Sequence, residues 1–147
     1  MDKAIGSPPK PPSRSEHLLI VDDEKDTADV MKMALERAGF SVDVFYHPTA
    51  ALQEFIAGKY DLVLIDVKMP VMDGFALFDR MRVLDPDLKV CFMTARSDDD
   101  EVFKRHFQDN RRVSVARKPV RVRDLVLLLR AELDARKADR QAPFRLE

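Results

Sequence analysis

Five short apolar runs alternate with helical patterns along the chain, and this alternation limits the fold more than any other feature. The runs occupy residues 18–21, 40–45, 62–66, 90–93 and 113–116. Strands that alternate with helices predict an α/β fold, in which a five-stranded parallel sheet carries helices on both faces. In such a sheet, ligands bind beyond the carboxyl ends of the strands, near the point where the strand order switches. The residues that follow each run are therefore the first candidates for function.

Helical segments are predicted where apolar residues recur at spacings of three and four. The first segment ends at Gly39, and the second is opened by Pro48 and ends at Gly58. Three further helices are expected at about 75–83, 99–108 and 122–140. The residues expected to face inward from the first two helices are Val30, Met31, Ala34, Leu35, Ala38, Leu52, Phe55 and Ile56.

Length and composition indicate one soluble domain. The 147 residues carry a net charge of -1, which argues against non-specific binding of nucleic acid. The single cysteine, Cys91, excludes an internal disulfide and favours a cytoplasmic location. No apolar run reaches the ~18 residues that span a bilayer. We expect a domain at residues 17–140 between a disordered, Pro-rich tail (1–16) and a C-terminal tail (141–147) whose last two residues are typical of an expression remnant.

Polar residues lie at the ends of four of the five runs. Asp22 and Asp23 follow the first run, Asp66 ends the third, Thr94 follows the fourth and Lys118 follows the fifth. A lone aspartate is most simply a helix cap or a turn residue, but three carboxylates at one edge repel one another unless a cation lies among them. Oxygen ligands of this kind suit Mg²⁺, and an ammonium and a hydroxyl suit a phosphoryl group. A strand-end carboxylate can itself accept a phosphoryl group.

Taken in order, these residues belong to four short motifs. The motifs are Val-Asp-Asp-Glu at 21–24, Asp66 with Met-Pro-Val-Met-Asp-Gly at 69–74, Thr94-Ala95 and Lys118-Pro119. Over roughly residues 18–133 the chain resembles the receiver domain of two-component response regulators, including the single-domain regulators of the chemotaxis type. The resemblance implies a flavodoxin-like (βα)5 fold with strand order 2-1-3-4-5. It also implies a signalling module that catalyses only its own phosphotransfer and autodephosphorylation.

The resemblance assigns the acidic residues to phosphotransfer. It implies that Asp66 accepts a phosphoryl group from a sensor histidine kinase or a histidine phosphotransfer protein, in a Mg²⁺-dependent reaction. It further implies that Asp23 binds Mg²⁺ directly, that Asp22 binds it mainly through water, and that the backbone carbonyl of Lys68 is a further ligand.

The same resemblance assigns the residues around the phosphoryl group. Lys118 would pair with the phosphoryl oxygens, Thr94 would swing inward to donate to them, and Ala95 would leave room for the phosphodonor. The resemblance also implies that the bond before Pro119 is cis, which fits the rule that cis peptides are nearly confined to proline. The cations Lys68 and Arg96, two residues after Asp66 and Thr94, are expected to tune the lifetime of the phosphoryl group by screening it from water.

Two departures from the family pattern concern the output side. Val115 lies three residues before Lys118, where most receivers carry an aromatic residue, and 109–112 lacks the usual Gly-containing turn. A receiver-like docking module that acts by phosphorylation-independent contact therefore stays open. An aspartate-nucleophile phosphatase also stays open, although Lys68 occupies the place of its second acid. The sequence indicates no nucleic-acid or membrane partner and leaves the downstream protein unspecified, and the resemblance is compatible with a homodimer through the fourth helix, fifth strand and last helix.

Overall fold

The computed structural model describes residues 16–95, 101, 103, 105, 107 and 111–141. Its five strands form one parallel sheet in the order β2-β1-β3-β4-β5. The strands are β1 (His17–Val21), β2 (Ser41–Phe45), β3 (Leu62–Asp66), β4 (Lys89–Thr94) and β5 (Val113–Arg117). The predicted α/β class and the predicted strand order are both confirmed.

Four helices have their bounds within the described residues. They are α1 (Lys25–Arg37), α2 (Pro48–Glu54), α3 (Gly74–Leu84) and α4 (Val122–Gln141). Helical backbone is also described at Glu101, Phe103 and Arg105, within the span predicted for a helix at 99–108, but most of that span lies outside the described residues. Arg96, most of the N-terminal tail and most of the C-terminal tail lie outside them as well. No helix in the described part of the chain combines the length and apolar character needed to cross a lipid bilayer.

The sheet separates two apolar cores because successive side chains of a strand point to opposite faces. On one face, Leu19, Val63 and Phe92 pack with residues of α2 and α3. On the other face, Leu18 and Leu64 pack with residues of α1 and α4. The central strands β3 and β4 are buried along their whole length, which explains why their sequences are apolar without alternation.

Phe92 is the centre of an aromatic cluster on the first face. Its ring centroid lies 5.0 Å from that of Phe75, 5.7 Å from Phe78, 5.5 Å from Phe103 and 5.3 Å from Phe107. Two of these pairs meet edge to face, an arrangement that stabilises aromatic contacts beyond the area they bury. The cluster joins β4 and α3 to the segment between β4 and β5.

The end of α1 and the start of α2 follow the predicted signals, but α2 ends at Glu54, four residues before the predicted end at Gly58. Two inward-facing residues were also predicted wrongly. Gly39 has a φ of 104° and follows α1, and Pro48 opens α2. Val30 is 57% exposed, because the buried stripe of α1 runs through Ala28 and two residues at helical spacing from it. Ile56 is also 57% exposed, because α2 ends at Glu54 and the next residue has extended backbone.

The turn between β3 and α3 is tightly constrained. A Cβ on Gly74 would lie 2.5 Å from the carbonyl oxygen of Asp66, so only glycine allows α3 to begin this close to the end of β3. Within the turn, Val71 has a φ of 74° and is 92% exposed, and the N–H of Met72 donates to the carbonyl of Pro70 at 2.8 Å. A positive φ is strained for a β-branched residue. The turn therefore holds its shape at a local cost in energy.

Contacts between distant parts of the chain fasten α4 to the sheet. Lys89 at the start of β4 is buried, and its ammonium donates to the carbonyl of Glu132 at 3.0 Å. Arg130 lies 2.5 Å from a carboxylate oxygen of Glu16 and 4.4 Å from the ring centroid of Phe40. Helix α4 thus begins near the carboxyl ends of the strands and returns to their amino ends.

We expect Phe92→Ala to lower the free energy of unfolding by about 3–5 kcal/mol, because it removes a fully buried ring and leaves a cavity between four other rings. Chemical denaturation monitored by circular dichroism would measure the change. Val83→Ala is the control, because Val83 is 78% exposed and its truncation should change stability by less than about 0.5 kcal/mol. Equal effects of the two substitutions would contradict this account of the core.

Candidate functional site

The structure brings the candidate residues together at the carboxyl edge of the sheet. Asp22 follows β1, Asp66 ends β3, Thr94 ends β4 and Lys118 follows β5. Asp22, Asp66 and Thr94 are buried, whereas Asp23 is exposed. A cavity of about 300 Å³ opens among them, and its lining residues are Asp23, Glu24, Asp66, Lys68, Thr94, Ala95 and Lys118.

Three of these residues form an acidic cluster. One carboxylate oxygen each from Asp22, Asp23 and Asp66 lies within 4.8 Å of the other two. Asp22 accepts a hydrogen bond from the N–H of Glu24 through Oδ1 at 2.9 Å, but its buried Oδ2 accepts none from the residues that the structure describes. A buried carboxylate oxygen without a donor is costly. The cluster could therefore hold a metal ion, and its all-oxygen donor set fits a hard divalent cation such as Mg²⁺.

Lys118 places an ammonium beside the acidic cluster. Its Nζ lies 3.4 Å from Asp66 Oδ2, 3.6 Å from Glu24 Oε1 and 3.8 Å from Asp22 Oδ2. Burial lowers the pKa of Lys118, but the carboxylates of Asp66 and Asp22 outweigh it, so the pKa lies above its ordinary value. Lys118 is therefore a fixed positive charge at neutral pH.

The backbone on both sides of Lys118 fixes the position of its Cα at the edge of the sheet. The N–H of Lys118 donates to the carbonyl of Thr94 at 2.8 Å, which extends the pairing of β4 with β5 by one step. The Lys118–Pro119 peptide bond is cis. Thr94 and Lys118 are thus adjacent across the sheet, and both line the cavity.

Burial dominates the electrostatics of the two inner acids. It raises the pKa of Asp66 to about 6, Asp22 adds to the rise, and Lys118 and the N–H of Lys68 oppose it. The pKa of Asp22 is also raised, mainly by burial. Burial disfavours the ionised form of both carboxylates. A cation that binds between them would stabilise that ionised form.

Sequence reasoning identified these residues but assigned no role to Glu24. The structure places its carboxylate at the rim of the cavity, beside Lys118. Its position directly after the acid pair was the available signal. Val115, on which the predicted departure from the family rests, is half-buried in β5 and lies opposite Phe92 of β4. Arg96, predicted to tune the site, lies outside the described residues.

Comparisons with known proteins agree on one family. The response regulator receiver domain family matches residues 18–130. The chain is 36% identical over 118 residues to the uncharacterized transcriptional regulatory protein YkoG of Bacillus subtilis, covering 80% of this chain and 50% of that protein. It is 38% identical over 86 residues to the C4-dicarboxylate transport transcriptional regulatory protein DctD of Rhizobium meliloti, covering 58% of this chain and 19% of that protein. The chain thus spans half or less of the length of these curated relatives.

Solved structures show the same fold. A CheY-like response regulator receiver domain protein from Methanospirillum hungatei superposes with a TM-score of 0.73 at 27% identity, covering 86% of this chain and 99% of that one. A response regulator receiver domain protein from Clostridium thermocellum also gives a TM-score of 0.73, at 25% identity, covering 83% of this chain and 97% of that one.

The burial of Asp66 predicts a pH-dependent effect of Asp66→Asn on stability without divalent metal. Because the pKa is about 6 in the folded protein and 3.8 for an unperturbed aspartate, Asp66 contributes stability below pH 3.8 that is lost as the pH rises through 6. Asparagine carries no such charge. Relative to that of the wild type, the free energy of unfolding of the variant should therefore rise by up to about 3 kcal/mol between pH 4 and pH 7.5, at about 1.4 kcal/mol per pKa unit.

Denaturant unfolding in the presence of a chelator would measure that difference at both pH values. The exposed Asp134 of α4 provides the control, since Asp134→Asn makes the same chemical change without removing a buried carboxylate. A wild type that becomes more stable than Asp66→Asn as the pH rises would contradict the prediction.

Proposed function

The chain belongs to the response regulator receiver domain family, and on that premise we propose that it is a phosphoaccepting receiver. Asp66 takes the phosphoryl group from a phosphohistidine on a sensor histidine kinase or a histidine phosphotransfer protein. The observation that carries the proposal is the position of Asp66, which is 3.4 Å from Lys118 and clustered with two further acids at the edge of the sheet.

The proposed transfer is a displacement at phosphorus. A carboxylate oxygen of Asp66 forms a bond to phosphorus while the bond from phosphorus to the imidazole nitrogen breaks, and the imidazole takes the bonding electron pair. Lys118 neutralises oxygens of the transferred group, Thr94 swings inward to donate to them, and Ala95 leaves room for the phosphodonor. All three residues line the cavity. The chain thereby acts mainly by positioning and by electrostatics, as is general for phosphoryl transfer.

We include Mg²⁺ in the proposal, held by Asp22, Asp23, Asp66 and the backbone carbonyl of Lys68. When bound, the ion supplies positive charge that neutralises the three carboxylates and the transferred phosphoryl oxygens. The unsatisfied Oδ2 of Asp22 and the raised pKa values of Asp22 and Asp66 support a cation here.

Signalling would follow from the charge that the modification adds. A phosphoryl group brings close to two negative charges beside Lys118 and Thr94, which are joined through the backbone at the ends of β4 and β5. A state in which these strands and their helices accommodate that charge would then gain population. To shift the ratio of this state to the original state from 1:99 to 99:1, phosphorylation must stabilise it by about 5.5 kcal/mol relative to the original state.

The proposed role is that of a signalling module with no further enzymatic activity. Its cytoplasmic location is part of the proposal and is supported by one buried, unpaired cysteine, Cys91. The alternative is a docking module that acts without phosphate, and it is favoured by one observation, the aliphatic Val115 at the position that is usually aromatic.

Incubation with acetyl phosphate and Mg²⁺ tests the proposal. We expect the wild type to gain the mass of one phosphoryl group, Asp66→Asn to gain none and Lys118→Ala to gain far less, because the acceptor or its charge partner is missing. Intact-protein mass spectrometry measures the modification, and a chelator should prevent it.

The control is again Asp134→Asn, which removes an exposed carboxylate of the same kind from α4. Labelling of that variant should match the wild type. A wild type that gains no mass under saturating donor, or an Asp66→Asn variant that is labelled equally well, would favour the docking module instead.

We further propose that Lys68 and Arg96 slow autodephosphorylation. Lys68 lines the cavity two residues after the end of β3, and a cation there can screen the phosphoryl group from attacking water. Lys68→Ala and Arg96→Ala should each speed release of inorganic phosphate by about two- to five-fold, the range expected for an exposed charge contact. Phosphate-release kinetics measure the rates, and Arg123→Ala in α4 is the control. Unchanged rates for both variants would refute this role.

A further inference from the structure

Glu24 occupies the N-cap position of α1 without capping the helix. Its backbone is extended, with φ of -86° and ψ of 98°, and its side chain makes no capping hydrogen bond within the described chain. Residues preferred at an N-cap are serine, threonine, aspartate and asparagine, whose short side chains accept from the free N–H groups of the first turn. The carboxylate of Glu24 lies instead 3.6 Å from Lys118 Nζ, at the rim of the cavity.

The main chain holds Glu24 in this place. Its N–H donates to Asp22 Oδ1 at 2.9 Å, so its Cα is fixed directly beside the acidic cluster. The carboxylate of Glu24 therefore faces a cation of the site and makes no capping hydrogen bond to the first turn of α1 among the described residues. Positions that break a local rule without a structural gain are expected where function intervenes.

We propose that Glu24 is a positioning residue that acts on Asp66 through Lys118. It competes with the phosphoryl group for the Lys118 ammonium and thereby lowers the level of phosphorylated Asp66. This inference rests on the proposed function, and it concerns the balance between the phosphorylated and unphosphorylated forms.

The charges around Lys118 support competition. Asp66 and Asp22 approach Nζ to 3.4 and 3.8 Å, and both are buried, so they keep Lys118 in place when Glu24 is replaced by glutamine. The contact of Lys118 with Glu24 must weaken when phosphoryl oxygens draw the ammonium toward Asp66. The carboxylate of Glu24 also repels a phosphoryl group that carries close to two negative charges. Both effects disfavour the phosphorylated form.

The magnitude is limited by solvent. The side chain of Glu24 is 65% exposed, and contacts of exposed charges change an equilibrium by about two- to five-fold. They also weaken as salt is added, whereas a buried pair responds much less. Salt dependence is therefore a signature of the proposed contact that a merely structural role of Glu24 would not produce.

Glu24→Gln in the 147-residue chain tests the inference, because glutamine keeps the shape and removes the charge. At saturating Mg²⁺ and a fixed concentration of acetyl phosphate, we expect the ratio of phosphorylated to unphosphorylated protein to rise about two- to five-fold at low salt. The gain should shrink as sodium chloride is raised. Mass spectrometry measures the ratio, and thermal unfolding should show an unchanged Tm because no capping bond is lost.

Glu36→Gln is the matched control, since it makes the same change at an exposed position of α1. An equal gain for Glu36→Gln, no gain for Glu24→Gln, or a gain that is independent of salt would overturn the role of Glu24. In these cases labelling of the wild type on Asp66 would still support the proposed function. If the wild type takes no phosphoryl group at all, the proposed function and this inference are both overturned.

Discussion

The candidate site depends on the electrostatic balance between buried carboxylates and one ammonium at the edge of an apolar sheet. Asp22 and Asp66 are almost completely removed from water, and burial raises the pKa of each. Lys118 offsets only part of that penalty, because its Nζ stays 3.4 Å or more from each carboxylate. Such an arrangement persists only if its supports are rigid. The two-sided core and the close contact at Gly74 supply that rigidity.

The supports explain why this edge of the sheet can hold charges that repel one another. Strands β3 and β4 are buried along their whole length, so the ends that carry Asp66 and Thr94 cannot shift without disturbing both cores. Strand β5, at the edge of the sheet, is only half-buried along most of its length. A change of charge at Lys118 would therefore displace β5 more easily than β3, because fewer side chains of β5 are packed in the core. The aliphatic Val115 lies within this less constrained strand.

Much of the fold and of the site could be predicted because both depend on patterns that tertiary structure does not override. A parallel sheet covered on both faces demands apolar runs without alternation, and parallel strands bring their carboxyl ends to one edge. Helix faces were less predictable, as Val30 shows, since one residue of displacement moves a side chain by about 100°. Ile56 was predicted wrongly for another reason, because α2 ends at Glu54. The positive φ of Val71 has no local sequence signal, and the position of Glu24 after the acid pair does not by itself give the direction of its carboxylate. These two features arise from the turn before α3 and from the charge of Lys118.

The contact between Glu16 and Arg130 has a practical consequence for attaching other molecules to this protein. It places the start of β1 beside the returning part of α4, at the amino ends of the strands. Asp66 lies at the other end of the same sheet, where β3 ends. A fluorescent protein or an affinity tag joined ahead of Glu16 would therefore leave the domain at the pole that faces away from Asp66. Surface immobilisation through such a tag would leave the cavity open to solution.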